Sequence, residues 1–213
     1  MNSNSIARLS ELGVATVYEA SGRQGLIDIP LIQIIPDSRV AGHARTALCG
    51  QDDNLMVHAV IEQIQPGEVL VLSMPEPAPV ALIGELLATQ VKVKRAAGIL
   101  VDASVRDVSE LVELGVPIWS HFIRARGATK TKIGELNATV TVGGTRIASG
   151  DIIVMDADGA VCVKRERVDE VLTASEERLA KEDALRRKLL AGQISYDLHG
   201  LRETVERNQN DKS

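Results

Sequence analysis

An arginine and an aspartate near the middle of the chain are the first residues whose types and spacing could do chemistry. Arg106 and Asp107 follow the apolar run 99–101, which is typical of a buried parallel strand. The carboxyl ends of such strands hold ligands in α/β folds. Arg106 can bind a carboxylate through two hydrogen bonds, and Asp107 offers hard oxygen ligands to Mg²⁺ or Mn²⁺. The spacing alone leaves a second interpretation open, in which the two residues form a surface ion pair.

A predicted helix start supplies a second group suited to an anion. Gly84 comes after the proline-rich loop 75–79, and a helical pattern begins at the next residue. The first N–H groups of a helix have no partner within the helix and attract negative charge. Gly84, Leu86 and Leu87 are therefore candidate substrate-binding residues, and a carboxylate is the expected ligand.

Two other polar features have open roles. Asn54 and His58 are four residues apart in a predicted helix at 55–63 and could face one site. The sequence slightly favours the alternative, in which Asn54 caps the helix and His58 is half exposed. The loop 124–132 carries four cations, which could bind a phosphate or a dicarboxylate, or could simply be solvated.

The remaining pattern predicts a mixed α/β fold in one domain, residues 1–213. Residues 55–101 alternate helix, strand, helix, strand, which indicates a right-handed crossover with a parallel strand pair. Strands at 139–163 are joined by short glycine turns and predict a small antiparallel block. A long helix at 166–190 is so heavily charged that we expect it to reach a neighbouring subunit. Residues 191–213 are polar, and we expect a mobile tail beyond Arg202.

Composition excludes several classes of function. The net charge of −5 offers no basic surface for nucleic acid. Cys49 and Cys162 are isolated among apolar residues, which predicts buried thiols in a reducing compartment. No apolar run approaches 18 residues and no signal peptide is recognisable, so we expect no membrane association and a cytoplasmic location.

Several segments together form a distinctive set: GVATVYEA at 13–20, CGQDDNL at 49–55, GELLA at 84–88 and VRD at 105–107, extended by GDII at 150–153 and DADG at 156–159. This set resembles the divalent-metal-dependent pyruvate aldolases that cleave 4-hydroxy-4-methyl-2-oxoglutarate and 4-carboxy-4-hydroxy-2-oxoadipate. The chain is more loosely similar to the regulators of ribonuclease E activity. The resemblance spans about residues 8–205.

The resemblance implies a metal site and an assembly. Its pattern is an acidic residue, twenty intervening residues and then Arg-Asp, which Glu85, Arg106 and Asp107 satisfy. The regulators lack the acidic residue. By resemblance, Asp107 binds Mg²⁺ or Mn²⁺ directly, and Glu85 holds metal-bound water. Glu182 from a neighbouring subunit, with Asp183 as the alternative, completes the shell. An α/β/β/α sandwich and a homotrimer or dimer of trimers are implied in the same way.

The implied reaction is retro-aldol cleavage of a 4-hydroxy-2-oxo acid to pyruvate plus oxaloacetate or a second pyruvate. In this interpretation Arg106, Asp107 and Glu85 are the catalytic residues, and oxaloacetate decarboxylation is a side activity. Two alternatives stay open, a non-catalytic regulator of the ribonuclease E type and a decarboxylase or lyase for another 2-oxo acid.

Overall fold

A computed structural model describes residues 3–210 of the chain, with the side chains of residues 4–207. Eight α-helices occur in this part: α1 Ser3–Leu12, α2 Val14–Ala20, α3 Leu55–Gln63, α4 Glu85–Val93, α5 Val108–Leu114, α6 Val168–Leu190, α7 Ser195–Leu198 and α8 Leu201–Asn210. The strands are β1 Ile32–Gln33, β2 Val40–Leu48, β3 Val69–Ser73, β4 Ala81–Ile83, β5 Gly98–Val105, β6 Ile118–Ile123, β7 Glu135–Leu136, β8 Val140–Val142, β9 Thr145–Ile147, β10 Ile152–Asp156 and β11 Gly159–Val163.

A nine-stranded mixed sheet organises the fold, with the main order β1-β6-β5-β3-β2-β10-β11. Its centre is parallel, since β3 pairs with β2 on one side and with β5 on the other. Every residue of β3 and β5 is buried, as expected for strands covered on both faces. The predicted crossover of helix and parallel strand is confirmed by α4, which connects this part of the sheet to β5.

Strand β5 is longer than the sequence indicates. The apolar run 99–101 predicts a strand that ends before Asp102, and this is wrong, because pairing continues to Val105. Asp102 is buried and hydrogen-bonded to His121 Nδ1 at 3.0 Å. Burial raises the pKa of Asp102, and the bond to His121 offsets part of that rise. The unpredicted strand β4 pairs with the end of β5, so both strands finish beside Arg106.

The antiparallel pairs are distributed differently from the predicted compact block. Strands β8 and β9 do form a separate two-stranded sheet. However, β10 pairs with β2 as well as with β11, so β10 and β11 extend the large sheet. The reason is that all five residues of β10 are buried, which requires strand neighbours on both sides. The mixed α/β class, with its crossover unit, antiparallel pairs and long C-terminal helix, is the one predicted.

Helix α6 begins in the main unit of the chain, and the contacts divide between Ser175 and Glu176. Within the first unit, α6 buries Val168, Val171 and Ser175. In the second unit the chain forms α7 and α8 where the sequence predicted a polar tail. Of the described helices, none combines the length and the apolar character that crossing a membrane requires.

The two thiols are buried and free, as predicted. Burial raises the pKa of both Cys49 and Cys162 to about 12, which keeps them protonated and unreactive near neutral pH.

Candidate functional site

Asp107 stands at the junction of β5 and α5 in a backbone conformation that turns its side chain away from its own helix. It occupies the N-cap position of α5 with φ 61° and ψ 45°, the left-handed region. Its backbone carbonyl accepts from Leu111 N at 2.9 Å and so begins the helix. The carboxylate does not cap α5. A non-glycine residue in this region costs about 1 kcal/mol, which the surrounding contacts must offset.

The carboxylate of Asp107 instead reaches the start of α4. Asp107 Oδ2 accepts from the backbone N–H of Glu85 at 3.2 Å and lies 3.7 Å from Arg106 Nε. The backbone N–H of Arg106 donates to Ile83 O at 3.2 Å, which holds the end of β4 against the end of β5. The residues predicted from two separate segments therefore meet at one point.

Gly84 makes this close approach possible. A Cβ atom at this position would lie 2.4 Å from Asp107 Oδ2 and 3.1 Å from Arg106 Cγ. Its backbone is extended, with φ −139° and ψ −170°, so any residue could adopt the conformation. The requirement for glycine is therefore the space that Asp107 and Arg106 occupy.

The first turn of α4 offers free N–H groups beside this pair. The first backbone hydrogen bond within the helix is the one that Ala88 N donates to Gly84 O at 3.0 Å. Within residues 3–210, no protein acceptor takes the N–H of Leu86 or Leu87. The Leu86 side chain is 77% exposed, so this end of the helix is open to solvent. Two donors at a helix N-terminus suit one carboxylate.

Glu85 adds a second carboxylate to the same corner. Glu85 Oε1 accepts from Thr89 Oγ1 at 2.9 Å, one helical turn further along α4. Asp107 and Glu85 are oxygen donors, which suits a hard divalent cation. No group of three histidine, cysteine, aspartate or glutamate side chains gathers in the described part of the chain. Two carboxylates still fit Mg²⁺, because this ion keeps several waters and takes its remaining ligands from substrate.

A cleft of about 280 Å³ opens over Arg106, Asp107 and the start of α4, and Glu85 is not among the residues that line it. The interpretation that Asn54 and His58 face one site agrees with the structure, since both line this cleft. The favoured alternative was wrong for Asn54, whose side chain makes no capping bond. The other lining residues are Ala81, Ile83, Gly84, Leu86, Leu87, Gln90, Arg106, Asp107, Ala128 and Lys130.

The basic loop contributes unequally to the site. Lys130 lines the cleft, and Gly127 lies so close to Arg106 that a Cβ there would be 2.8 Å from Nη1. Arg124 borders a second hollow, of about 380 Å³, which also touches Arg106 and Asp107. Lys132 instead donates to Gln51 O at 2.7 Å.

Asp53 holds this loop in place. This role was not predicted from the sequence. Its buried carboxylate accepts from Thr129 Oγ1 and Thr131 N, both at 2.6 Å, and from Lys132 N at 3.0 Å. It also caps α3 by accepting from Leu55 N at 2.8 Å. Burial raises the pKa of Asp53, but these hydrogen bonds lower it by more, so the net shift is downward. The only local signal was a run of two aspartates and an asparagine before α3.

Glu182 lies in the second unit, on α6. Its carboxylate is half exposed and pairs with Arg178 Nε at 2.9 Å. Asp183, the alternative residue, pairs with Arg186. The contribution of Glu182 to a neighbouring subunit stays a prediction.

Comparison with known proteins gives consistent matches. Residues 14–162 match the RraA-like family, described as Aldolase/RraA. A protein of Halalkalibacterium halodurans named "Putative 4-hydroxy-4-methyl-2-oxoglutarate aldolase" is 30% identical over 153 residues, which are 72% of this chain and 73% of that protein.

Two solved structures share the fold. RraAS2 of Streptomyces coelicolor, described as an unusual member of the RNase ES inhibitor RraA family, superposes with a TM-score of 0.76 at 28% identity. The match covers 87% of this chain and 97% of that one. The RNA-processing inhibitor RraA of Thermus thermophilis superposes with a TM-score of 0.59 at 26% identity, over 65% of this chain and 82% of that one.

Proposed function

Because the chain belongs to the RraA-like family, which includes proteins named as aldolases and proteins named as RNase inhibitors, we propose that it is a metal-dependent pyruvate aldolase. Its substrates would be 4-hydroxy-2-oxo acids such as 4-hydroxy-4-methyl-2-oxoglutarate and 4-carboxy-4-hydroxy-2-oxoadipate. The observation that carries the proposal is the meeting of Asp107, Arg106 and the free N–H groups of α4 in one cleft.

The residues of α4 and β5 would divide the substrate between them. The C1 carboxylate is held by the N–H groups of Leu86 and Leu87, whose helix end is positive. Arg106 reaches the same carboxylate and the 2-oxo oxygen with its guanidinium N–H groups. These contacts orient the bond between C3 and C4 for cleavage.

Arg106 also stabilises charge as it develops. When the C3–C4 bond breaks, its electrons move toward the 2-oxo oxygen, and the pyruvate half becomes an enolate. A guanidinium that faces this oxygen stabilises the transition state more than the ground state. The C4 hydroxyl gives its proton to a water molecule in the cleft, and its oxygen becomes the carbonyl oxygen of the second product. Protonation at C3 then gives pyruvate.

A hard divalent cation, held by Asp107 directly and by Glu85 and Glu182 of a neighbouring subunit through water, would supply further positive charge at the 2-oxo oxygen. Oxaloacetate decarboxylation produces the same enolate and is expected as a side activity. Completion of the site by Glu182 requires an oligomer, and the family resemblance favours a homotrimer or a dimer of trimers.

A regulator of RNase activity is the second candidate, favoured by the likeness to two RNase-inhibitor structures. Such a protein would not need the Glu85 and Asp107 carboxylates beside a free helix end. The two functions therefore differ in whether the purified chain releases pyruvate.

The test is pyruvate release from both hydroxy acids and from oxaloacetate, with EDTA and then with Mg²⁺ or Mn²⁺. We expect no activity in EDTA and recovery with either metal.

The matched variant is Arg106→Lys, which keeps the charge but loses the planar fork of donors. We expect it to lose about 3 kcal/mol of transition-state stabilisation, or about a hundredfold in rate.

Binding of Mn²⁺, followed by electron paramagnetic resonance, separates the metal site from the chemistry. Asp107→Asn should weaken Mn²⁺ binding, whereas Arg106→Lys should leave it close to wild type. Full activity in EDTA would refute the metal site, and no pyruvate with any metal would favour the regulator.

A further inference from the structure

The side chain of Asn54 is free for a role other than capping, although Asn54 takes the N-cap position of α3. Its backbone has φ −115° and ψ 18°, and its side chain makes no cap bond. The neighbouring Asp53 caps the helix instead, through Leu55 N at 2.8 Å. The Asn54 backbone is fixed by its N–H, which donates to Thr129 O at 2.9 Å.

The orientation of the Asn54 amide follows from its one side-chain contact. Nδ2 donates to the carbonyl of Leu82 at 3.1 Å. Exchanging the two amide atoms would bring Oδ1 against the Leu82 oxygen, where two acceptors repel each other. The carbonyl Oδ1 is therefore the free end of the amide.

Oδ1 lacks a donor. Asn54 is 8% exposed, and no group among the described residues donates to this buried oxygen. A buried acceptor without a partner is unfavourable, and natural proteins have few of them. Since Asn54 lines the cleft, a donor on a bound ligand is the partner that would relieve this cost.

The chemistry of the cleft specifies the donor. Among the other polar groups of the cleft, Arg106, Lys130 and the N–H groups of Leu86 and Leu87 supply hydrogen or positive charge, whereas Asp107 is the proposed cation ligand, and Gln90 and His58 carry both donor and acceptor atoms. The cationic and N–H groups suit carboxylates and the 2-oxo oxygen. An ionised carboxylate cannot donate to Oδ1, whereas a neutral hydroxyl group can. Several lining side chains, Leu86 and Lys130 among them, are exposed and can shift as a ligand enters.

We propose that Asn54 is a specificity-determining residue whose Oδ1 accepts a hydrogen bond from the C4 hydroxyl of a 4-hydroxy-2-oxo acid. This inference rests on the proposed aldolase function and selects hydroxy acids over 2-oxo acids that lack the hydroxyl, such as oxaloacetate. The hydroxyl still contacts Oδ1 as the transition state is approached, so the bond stabilises the bound substrate and the transition state about equally. Its loss should therefore raise KM more than it lowers kcat.

The test compares two reactions in one cleft. Wild type and Asn54→Leu are assayed for cleavage of 4-hydroxy-4-methyl-2-oxoglutarate and for decarboxylation of oxaloacetate, two substrates with equal numbers of carboxylates. Leucine has a similar volume and no hydrogen-bonding group. We expect the ratio of the two kcat/KM values to fall about tenfold, the usual effect of one neutral hydrogen bond. Most of that change should appear in the KM of the hydroxy acid.

The conservative variant is Asn54→Asp, which keeps an acceptor oxygen at the same distance from the backbone. Its second oxygen replaces the Nδ2 that donates to Leu82 O, so repulsion there and the added negative charge should lower both rates, but the ratio should stay within a factor of about three of wild type because an acceptor still faces the cleft. If circular dichroism shows that Asn54→Leu does not fold, Asn54→Ser, whose hydroxyl is too short to replace Oδ1, serves in its place.

Any of the following outcomes would overturn the inference. Equal losses in both reactions would mean that Asn54 acts by packing, and a ratio that collapses in Asn54→Asp would mean that the acceptor is irrelevant. Wild-type protein that releases pyruvate from neither substrate would overturn the proposed function and this inference together. An active wild type with an unchanged ratio in Asn54→Leu would overturn the inference alone.

Discussion

Gly84→Ala is the most direct test of the geometry at the candidate site. The added Cβ would lie 2.4 Å from Asp107 Oδ2, about 1 Å inside the 3.4 Å at which ordinary contact begins. Extended backbone at Gly84, with φ −139°, accepts alanine without strain. The carboxylate of Asp107 must therefore move by about 1 Å, and its bond from Glu85 N must stretch or break. The effect is confined to the site.

A displacement of this size in a catalytic group can cost about a hundredfold in rate. We expect Gly84→Ala to lose about that factor in kcat/KM for pyruvate release. Mn²⁺ affinity, measured by electron paramagnetic resonance, should fall in parallel, because Asp107 is the proposed direct ligand. The midpoint of thermal unfolding should fall by no more than about 3 °C, since alanine is a poorer N-cap residue than glycine by about 1 kcal/mol.

Gly127→Ala is the matched control. Its Cβ would approach Arg106 Nη1 at 2.8 Å, which is the end of a flexible side chain that can rotate away. We expect this variant to weaken substrate binding and to leave Mn²⁺ affinity close to wild type. The reasoning would be refuted if Gly84→Ala kept activity within a factor of about three and bound Mn²⁺ as tightly as wild type.

Two further predictions concern the assembly and the basic loop. Glu182→Ala and Asp107→Ala should each be folded but inactive. Mixing the two variants under subunit exchange should restore some activity, because a mixed interface can pair an intact Asp107 with an intact Glu182. An active Glu182→Ala, or an active monomer in sedimentation, would contradict the shared site. Asp53→Asn should lower the free energy of unfolding by about 2 kcal/mol at pH 7, since four hydrogen bonds to a buried carboxylate lose their charged acceptor. The pKa of Asp53 is lowered in the folded chain, so its stabilisation is complete above the unfolded value of about 3.9 and is lost as pH falls through the lower folded value. Urea unfolding at pH 7 and pH 3 should show the wild type and Asp53→Asn converging in acid, and a constant difference would argue against a charged Asp53.

The elements that follow local periodicity were predictable. The predicted helix 55–63 agrees with α3, and the long helix predicted at 166–190 begins within two residues of its predicted start. Apolar spacing is sufficient to predict such elements. A helix or strand that buries a face shows the corresponding period of apolar residues whichever element it packs against. The carboxyl end of β5 was also recognisable as a ligand-binding position, because Arg106 and Asp107 follow an apolar run.

Polar residues inside strands interrupt the apolar pattern, so part of the sheet could not be predicted from the sequence. Asp102 and Ser104 are buried in β5, where the sequence pattern indicated that the strand had already ended. Asp102 is tolerated because His121, nineteen residues later, supplies a hydrogen bond. Strand β4 was missed for a similar reason, since three residues after a proline-rich loop are too few to show a period.

The amino-acid sequence by itself determined which residues are candidates for the chemistry and which elements they stand on. Only the tertiary structure decided where their side chains point. Asp53 and Asn54 are both good capping residues, and the choice between them depends on Thr129 and Leu82, which are distant in sequence. Asp107 likewise turns toward α4 because the start of that helix offers a backbone donor. Local patterns depend on neighbours a few positions away, whereas a polar side chain is oriented by whichever partner the fold brings within hydrogen-bonding distance.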